Sequence, residues 1–122
     1  MKTAKELNGA WEERGVIGTR IEIDGKNITV LWRNSPVLTT MFKLKDAEGG
    51  AELELKSNGL RYEGSKSDYA TVTRIFYSEG RLIFEEHFPI TGPSKTELTK
   101  TECSRFGNYT VCDNVLKELQ GK

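Results

Sequence analysis

The segment TVTRIFYSEGRLIFEEHF, residues 71–88, carries the clearest fold signal in the chain, because its apolar residues alternate on both sides of a central Glu79-Gly80 pair. Alternation with period two is typical of β-strands, and a glycine between two such runs is typical of a hairpin loop. A two-residue loop at Glu79-Gly80 places Tyr77 opposite Leu82. The sequence therefore predicts an antiparallel hairpin here.

The two faces of this hairpin differ in charge. One face carries Thr73, Ile75, Tyr77, Leu82, Phe84 and Glu86. The other carries Val72, Phe76 and Ile83 together with Arg74, Glu85 and His87, and burial of that set would require a partner for every charge. We therefore expect the first face to line the interior. Phe76 and Ile83 then form an outward apolar pair, and Glu85 faces Arg74.

Two further turns extend the pattern in both directions. Looping at Gly25-Lys26 places Ile23 opposite Ile28. The run 51–56 alternates strictly and leads into Asn58-Gly59, a strong hairpin signal that places Leu55 opposite Tyr62.

The remaining segments complete a meander of short strands. Residues 37–45 place Leu38, Phe42 and Leu44 on one face, and residues 96–106 form a last, threonine-rich strand. Residues 115–119, after a cap at Asp113 or Asn114, predict one short C-terminal helix. The predicted fold is all-β: one up-and-down antiparallel barrel of about eight to nine strands, in a single domain spanning residues 1–122.

Composition excludes several classes of function. The 122 residues include 18 basic and 18 acidic side chains, interleaved along the chain, so no basic face for nucleic acid or a membrane surface is expected. The N-terminus has no apolar signal region, which makes the cytoplasm the expected location. In that reducing compartment Cys103 and Cys112 are expected to be free thiols.

The segment Leu7-Asn8-Gly9-Ala10-Trp11 resembles the Gly-x-Trp motif at the start of the first strand of lipocalins and fatty-acid-binding proteins. The later Ser67-Asp68-Tyr69 is similar to the Thr-Asp-Tyr loop of that group. Arg105 stands near the end of the last predicted strand, where a lipocalin arginine stacks over the motif tryptophan. The resemblance to the calycin superfamily covers roughly residues 7–106. It implies that Trp11 and Arg105 close one end of the barrel.

No constellation of residues predicts catalysis. His87 is the only histidine and has no nucleophile and orienting acid at supporting spacing. Glu85 and Glu86 are adjacent, hence on opposite faces of a strand, and cannot act as a carboxylate pair. The run 91–96 lacks the spacing of a phosphate loop. We therefore expect no enzyme activity, no metal site and no cofactor.

The function expected from this fold is the binding of a small apolar or amphipathic ligand inside the barrel, because eight strands leave room for one small molecule. The candidate cavity residues are Trp32, Phe42, Tyr62, Thr73, Phe84 and Glu86. The alternative is a barrel packed solid that acts as a protein-interaction or inhibitor module, with a homodimer through Phe76 and Ile83 as one form of it.

Overall fold

The computed structural model describes residues 2–14, 18–61, 70–106 and 109–112, with side chains for residues 5–14, 18–61 and 70–102. Its elements, in chain order, are α1 (Lys2–Leu7), β1 (Gly9–Glu12), β2 (Thr19–Asp24), β3 (Asn27–Trp32), β4 (Ser35–Ala47), β5 (Gly50–Leu55), β6 (Thr71–Ser78), β7 (Arg81–Phe88), β8 (Gly92–Thr101), β9 (Cys103–Phe106) and β10 (Tyr109–Cys112).

Strands β1 to β8 form a closed antiparallel barrel in which chain neighbours are also neighbours in space. Closure occurs between β1 and β8, where Trp11 lies opposite Lys100. Among the described residues, strands β9 and β10 pair with each other as a separate two-stranded sheet. The predicted all-β, up-and-down barrel is confirmed, and closure pairs the two outermost strands of the meander with each other.

Two of the three hairpins predicted from turn residues are present in the predicted register. Tyr77 lies opposite Leu82, and Ile23 lies opposite Ile28. Glu79 and Gly80 adopt φ values of 49° and 78°. Two consecutive positive φ values give the turn whose twist matches that of the flanking strands.

The hairpin predicted at Asn58-Gly59 is wrong. The chain continues past Leu55 without turning, and Gly59 bridges Thr71 of β6 instead. On the other side the Arg61 N–H donates to the Val37 carbonyl of β4 at 2.9 Å. Pairing with distant strands on both sides has overridden the local turn preference of Asn-Gly.

The prediction of which β6 residues face the interior is wrong for the residues before Arg74, because the strand contains a β-bulge. Val72 lies opposite Glu86 and Arg74 lies opposite Glu85, which leaves Thr73 as the extra residue. Val72 is therefore buried and Thr73 is exposed, the reverse of the prediction. His87 remains on the outer side but faces Thr71 rather than Val72.

The C-terminal part of the chain differs from the predicted closing strand. The predicted strand 96–106 divides: β8 ends at Thr101 and β9 begins at Cys103. Arg105 thus lies in the small β9–β10 sheet and not on a barrel strand. The predicted helix at residues 115–119 lies outside the described residues. The helix α1 at the N-terminus was not predicted.

The barrel interior holds one contiguous apolar cluster. Its buried members are Leu7, Trp11, Ile21, Ile23, Ile28, Val30, Val37, Phe42, Leu53, Leu60, Ala70, Val72, Ile75, Leu82, Phe84 and Leu98. Phe84 and Leu82 are fully buried, and Glu86 is 4% exposed, as expected for the inward face of β7. Tyr77 is half-buried and packs against the cluster.

One charged pair is also buried. Arg20 and Glu12 lie opposite each other on β2 and β1 and form an ion pair, with 6% and 8% of their surfaces exposed. The Arg20 Nε atom also donates to Glu22 at 2.8 Å. Removal of either partner would leave a buried charge without this compensation.

Candidate functional site

One side of one barrel end is closed by α1. Leu7 is 1% exposed, and its carbonyl accepts a hydrogen bond of 2.9 Å from the Trp11 indole Nε1. The Trp11 ring meets Tyr77 edge-on, with 6.0 Å between ring centroids. A buried indole that is packed and hydrogen-bonded in this way fixes the helix to the barrel. We call this region the α1 side.

Two polar contacts secure the same region. The Tyr77 hydroxyl donates to the Glu6 carboxylate at 2.6 Å, and Lys100 Nζ donates to the Glu6 carbonyl at 2.7 Å. The hydrogen bond to Glu6 raises the pKa of the Tyr77 hydroxyl, and partial burial and the negative charge of Glu6 act in the same direction.

The opposite side of this end is open, and a groove of about 710 Å³ lies there. It is lined by Gly25, Lys26, Met41, Phe42, Lys43, Leu44, Glu54, Leu55 and Lys56. The lining is mainly apolar, and its volume falls in the range of sites for small molecules. We call it the β4–β5 groove.

The groove exists because β4 is longer than its neighbour β3. β4 has 13 residues and β3 has 6, so β4 pairs with β3 only as far as Met41. Beyond that point the Phe42 N–H donates to the Lys26 carbonyl at 2.9 Å, and β4 continues with β5 alone. The inward side chains of this projecting hairpin, Leu44 and Leu55, are consequently only half-buried.

Charged side chains border the apolar surface of the groove. Among the described lining residues, Lys26, Lys43 and Lys56 are exposed lysines and Glu54 is acidic. Within the described residues no ion pair within 4.0 Å is formed by these lysines. An apolar floor with exposed ammonium groups suits a ligand with an apolar and a polar part.

A second, more polar opening of about 420 Å³ separates β5 from β6. Ladder pairing between these strands is limited to Ala51 and Glu52, and the next backbone pairing is the isolated bridge between Gly59 and Thr71. Arg74 spans the gap, with its Nε atom 2.7 Å from the Glu52 carboxylate. Its guanidinium also lies 4.5 Å from the centre of the Phe76 ring.

The predicted cavity residues do not converge on one site. Phe42 lines the β4–β5 groove, whereas Phe84 and Glu86 belong to the packed interior. Thr73, predicted to face the interior, lines the opening between β5 and β6 because of the bulge. Tyr62 lies outside the described residues.

Trp32 does not lie inside the barrel, contrary to the prediction. It is the last residue of β3 and is 37% exposed. The Arg33 guanidinium, in the turn that follows β3, lies 5.2 Å from the centre of its ring. Along β3, the alternation of buried, inward-facing residues continues only as far as Val30.

Trp11, a residue on which the resemblance is based, lies in β1 and is buried. The cation near its ring is Lys100, with Nζ 5.8 Å from the ring centre. The Arg105 side chain lies outside the described residues, so its pairing with Trp11 stays a prediction.

In residues 2–14, 18–61, 70–106 and 109–112, no three histidine, cysteine or acidic residues are grouped to hold a metal ion. His87 is exposed. No helix in this part of the chain is long and apolar enough to span a membrane.

Sequence reasoning missed most of the groove lining, including Met41 and the three lysines. Leu44 and Leu55 were assigned to the inward face of their strands but not to a site. The signal that could have located the groove is the unequal length of neighbouring strands: the alternating run after residue 37 far exceeds the run between Asn27 and Trp32.

In comparisons with known proteins, no family model matches this chain, and no curated protein and no solved structure matches it significantly. The fold stands as a closed eight-stranded antiparallel barrel on its geometry alone.

Proposed function

We propose that this protein is a lipocalin-like barrel that binds a small apolar or amphipathic ligand, and that the ligand occupies the β4–β5 groove. The observation that carries the proposal is an apolar concavity of about 710 Å³ around Phe42, Leu44 and Leu55. A half-open apolar surface of this size is unfavourable in water, and a ligand that covers it removes that surface from solvent.

The proposed site lies at the barrel end rather than in the barrel interior. Interior positions such as Phe84 already pack within the apolar cluster, whereas the groove offers open volume. Exposed lysines next to the apolar floor favour an amphipathic ligand over a purely apolar one.

The test is a titration with 1-anilinonaphthalene-8-sulfonate, a small amphipathic fluorophore. Saturable binding to the native protein is expected, with a loss of at least about tenfold in affinity for Leu44→Gln, because the substitution places an amide on the groove floor. Ile83→Gln is the matched control: Ile83 is another half-buried aliphatic residue, on β7 and away from the groove. Equal effects of the two substitutions, or no saturable binding, would refute the proposal. Native mass spectrometry of the purified protein tests for a co-purified ligand.

The second candidate is a packed barrel that acts as a protein-interaction module, and the contiguous interior cluster favours it. In its self-associating form the contact would use Phe76 and Ile83, which are cross-strand partners and half-buried. Light scattering on a size-exclusion column tests this form: a dimer that dissociates in Phe76→Lys supports it, and a monomer at high concentration refutes it.

A further inference from the structure

The projecting half of β4 has one strand edge that no described residue covers. From Lys43 to Ala47 the strand pairs with β5 on one side, and among the described residues it pairs with nothing on the other. The side chains of Lys43, Lys45 and Asp46 are exposed. An uncovered edge is a template to which an extended peptide can add as a further strand.

The register shows which backbone groups face this uncovered side. The Lys56 N–H donates to the Met41 carbonyl, which makes Phe42 and Leu55 a non-hydrogen-bonded pair. By alternation, the N–H and C=O groups of Leu44 and Asp46 point away from β5. The Phe42 N–H, which points the same way, already donates to the Lys26 carbonyl.

The pairing of β4 with β5 shows which side chains lie opposite those of β4. Glu54 lies opposite Lys43, Leu53 opposite Leu44, and Glu52 opposite Lys45. On the uncovered side the same lysines would again meet the outward residues of an added strand, and Leu44 would meet its inward residue. Opposite charges directly across a ladder stabilise it, and like charges destabilise it.

We propose that the uncovered edge of β4 binds an extended peptide segment of a partner protein in which apolar and acidic residues alternate. Main-chain hydrogen bonds to Leu44 and Asp46 supply the affinity, and Lys43 and Lys45 select the acidic residues. This binding goes beyond the proposed small-ligand function and does not depend on it.

A second copy of the chain does not fit this edge. Two β4 edges related by a two-fold axis keep their outer faces on the same side of the joined sheet. In the registers that overlap Lys43 and Lys45, lysine then lies opposite lysine, which is unfavourable. Lysines on an edge strand are a common protection against such self-pairing.

The experiment uses three synthetic peptides against the full chain. The first copies Gly50–Lys56 (GAELELK), the second replaces both glutamates with lysine, and the third is N-methylated at alternate residues so that it cannot donate hydrogen bonds along one edge. Fluorescence anisotropy measures affinity, and amide hydrogen exchange by nuclear magnetic resonance reports on Leu44 and Asp46. We expect binding of the first peptide only, with slowed exchange at these two amides.

A charge variant tests the selecting lysines. Lys43→Gln combined with Lys45→Gln is expected to weaken binding of the acidic peptide about tenfold. The control is Lys95→Gln, since Lys95 is an exposed strand lysine that also lies opposite a glutamate, Glu85. The three-peptide comparison on the unaltered protein keeps the proposal testable should the double variant fold poorly.

Four results would overturn the proposal. They are equal affinity for the acidic and basic peptides, equal affinity for the N-methylated peptide, unchanged exchange at Leu44 and Asp46 under saturating acidic peptide, and protection of these amides by raised protein concentration alone. The last result would assign the edge to a second copy.

Discussion

The α1 side and the β4–β5 groove lie at the same end of the barrel and each buries an aromatic residue, but the surroundings of the two residues differ. On the α1 side Trp11 is 1% exposed and its indole nitrogen is hydrogen-bonded to Leu7. At the groove Phe42 borders an open volume, and the neighbouring Leu44 and Leu55 are only half-buried. One side is packed core, and the other combines the buried Phe42, which is 6% exposed, with neighbouring residues that reach solvent.

The difference arises from the elements adjoining each strand. A six-residue helix precedes β1 and covers the end of the barrel next to it. The β4–β5 hairpin projects past the turn at Gly25, and no described element covers its inward face. Tight packing and open volume are therefore found at different parts of one barrel end, which predicts that substitutions in the two parts will change the free energy of unfolding to different extents.

The largest expected effect is that of Trp11→Ala. The substitution leaves an enclosed cavity in the core and removes the hydrogen bond to Leu7, so the free energy of unfolding should fall by about 4 kcal/mol in urea titration. Trp32→Ala is the matched control, and because Trp32 is 37% exposed it should lower this free energy by only about 2 kcal/mol. Similar losses for both would contradict the assignment of the α1 side as packed core.

A phenylalanine-to-alanine substitution at the groove should lower the free energy of unfolding less than the same substitution in the barrel interior. Phe42→Ala should lower the free energy of unfolding by about 2 kcal/mol, whereas Phe84→Ala, at a fully buried position, should lower it by about 4 kcal/mol. The reason is that the space left by Phe42 opens to solvent and is not an enclosed cavity. Equal losses in urea titration would show that the groove side is packed as tightly as the interior.

Sequence reasoning was accurate where local turns determine pairing. The registers of Tyr77 with Leu82 and of Ile23 with Ile28 follow from two-residue loops, and the inward burial of Phe84 follows from strand alternation. These features depend on residues close together in the chain.

The predictions from sequence failed where contacts between distant strands determine the structure. The bulge at Thr73 and the continuation of the chain through Gly59 come from contacts between β4, β5 and β6, which single-strand periodicity does not contain. The groove depends on the relative lengths of β3 and β4. The buried pair of Arg20 with Glu12 was missed because charged residues in strands are ordinarily solvent-facing.

The polar attachment of α1 predicts a pH-dependent effect of about 1 kcal/mol. Tyr77→Phe removes the hydrogen bond to Glu6, and the free energy of unfolding near pH 8 should fall by that amount. Because the pKa of Tyr77 is raised in the folded state, its contribution is complete below the ordinary tyrosine pKa and is lost as the pH rises through the raised value.

The check is urea unfolding of both proteins between pH 8 and pH 11. Above the ordinary tyrosine pKa, the wild-type protein should lose the advantage that it holds over Tyr77→Phe at pH 8. A difference between the two proteins that stays constant across this range would show that the Tyr77–Glu6 bond is not the titrating contact.

The smallest expected effect concerns the cation beside Trp11. Lys100 Nζ lies 5.8 Å from the ring centre and is exposed, so its coupling to Trp11 should be about 0.5 kcal/mol. The calycin resemblance instead requires a coupling of about 1 kcal/mol between Trp11 and Arg105.

Double-mutant cycles that combine Trp11→Leu with Lys100→Met, and separately with Arg105→Ala, measure the two couplings by unfolding free energy. The Trp11→Leu background keeps an apolar side chain in the core, so the protein should remain folded in all combinations. If only Lys100 is coupled to Trp11, the cation beside the tryptophan comes from the last barrel strand. Arg105 then does not have the role of the lipocalin arginine. A coupling for Arg105 would extend the resemblance beyond the barrel to the β9–β10 sheet. If neither residue is coupled to Trp11, packing against Leu7 and Tyr77 alone closes this end of the barrel.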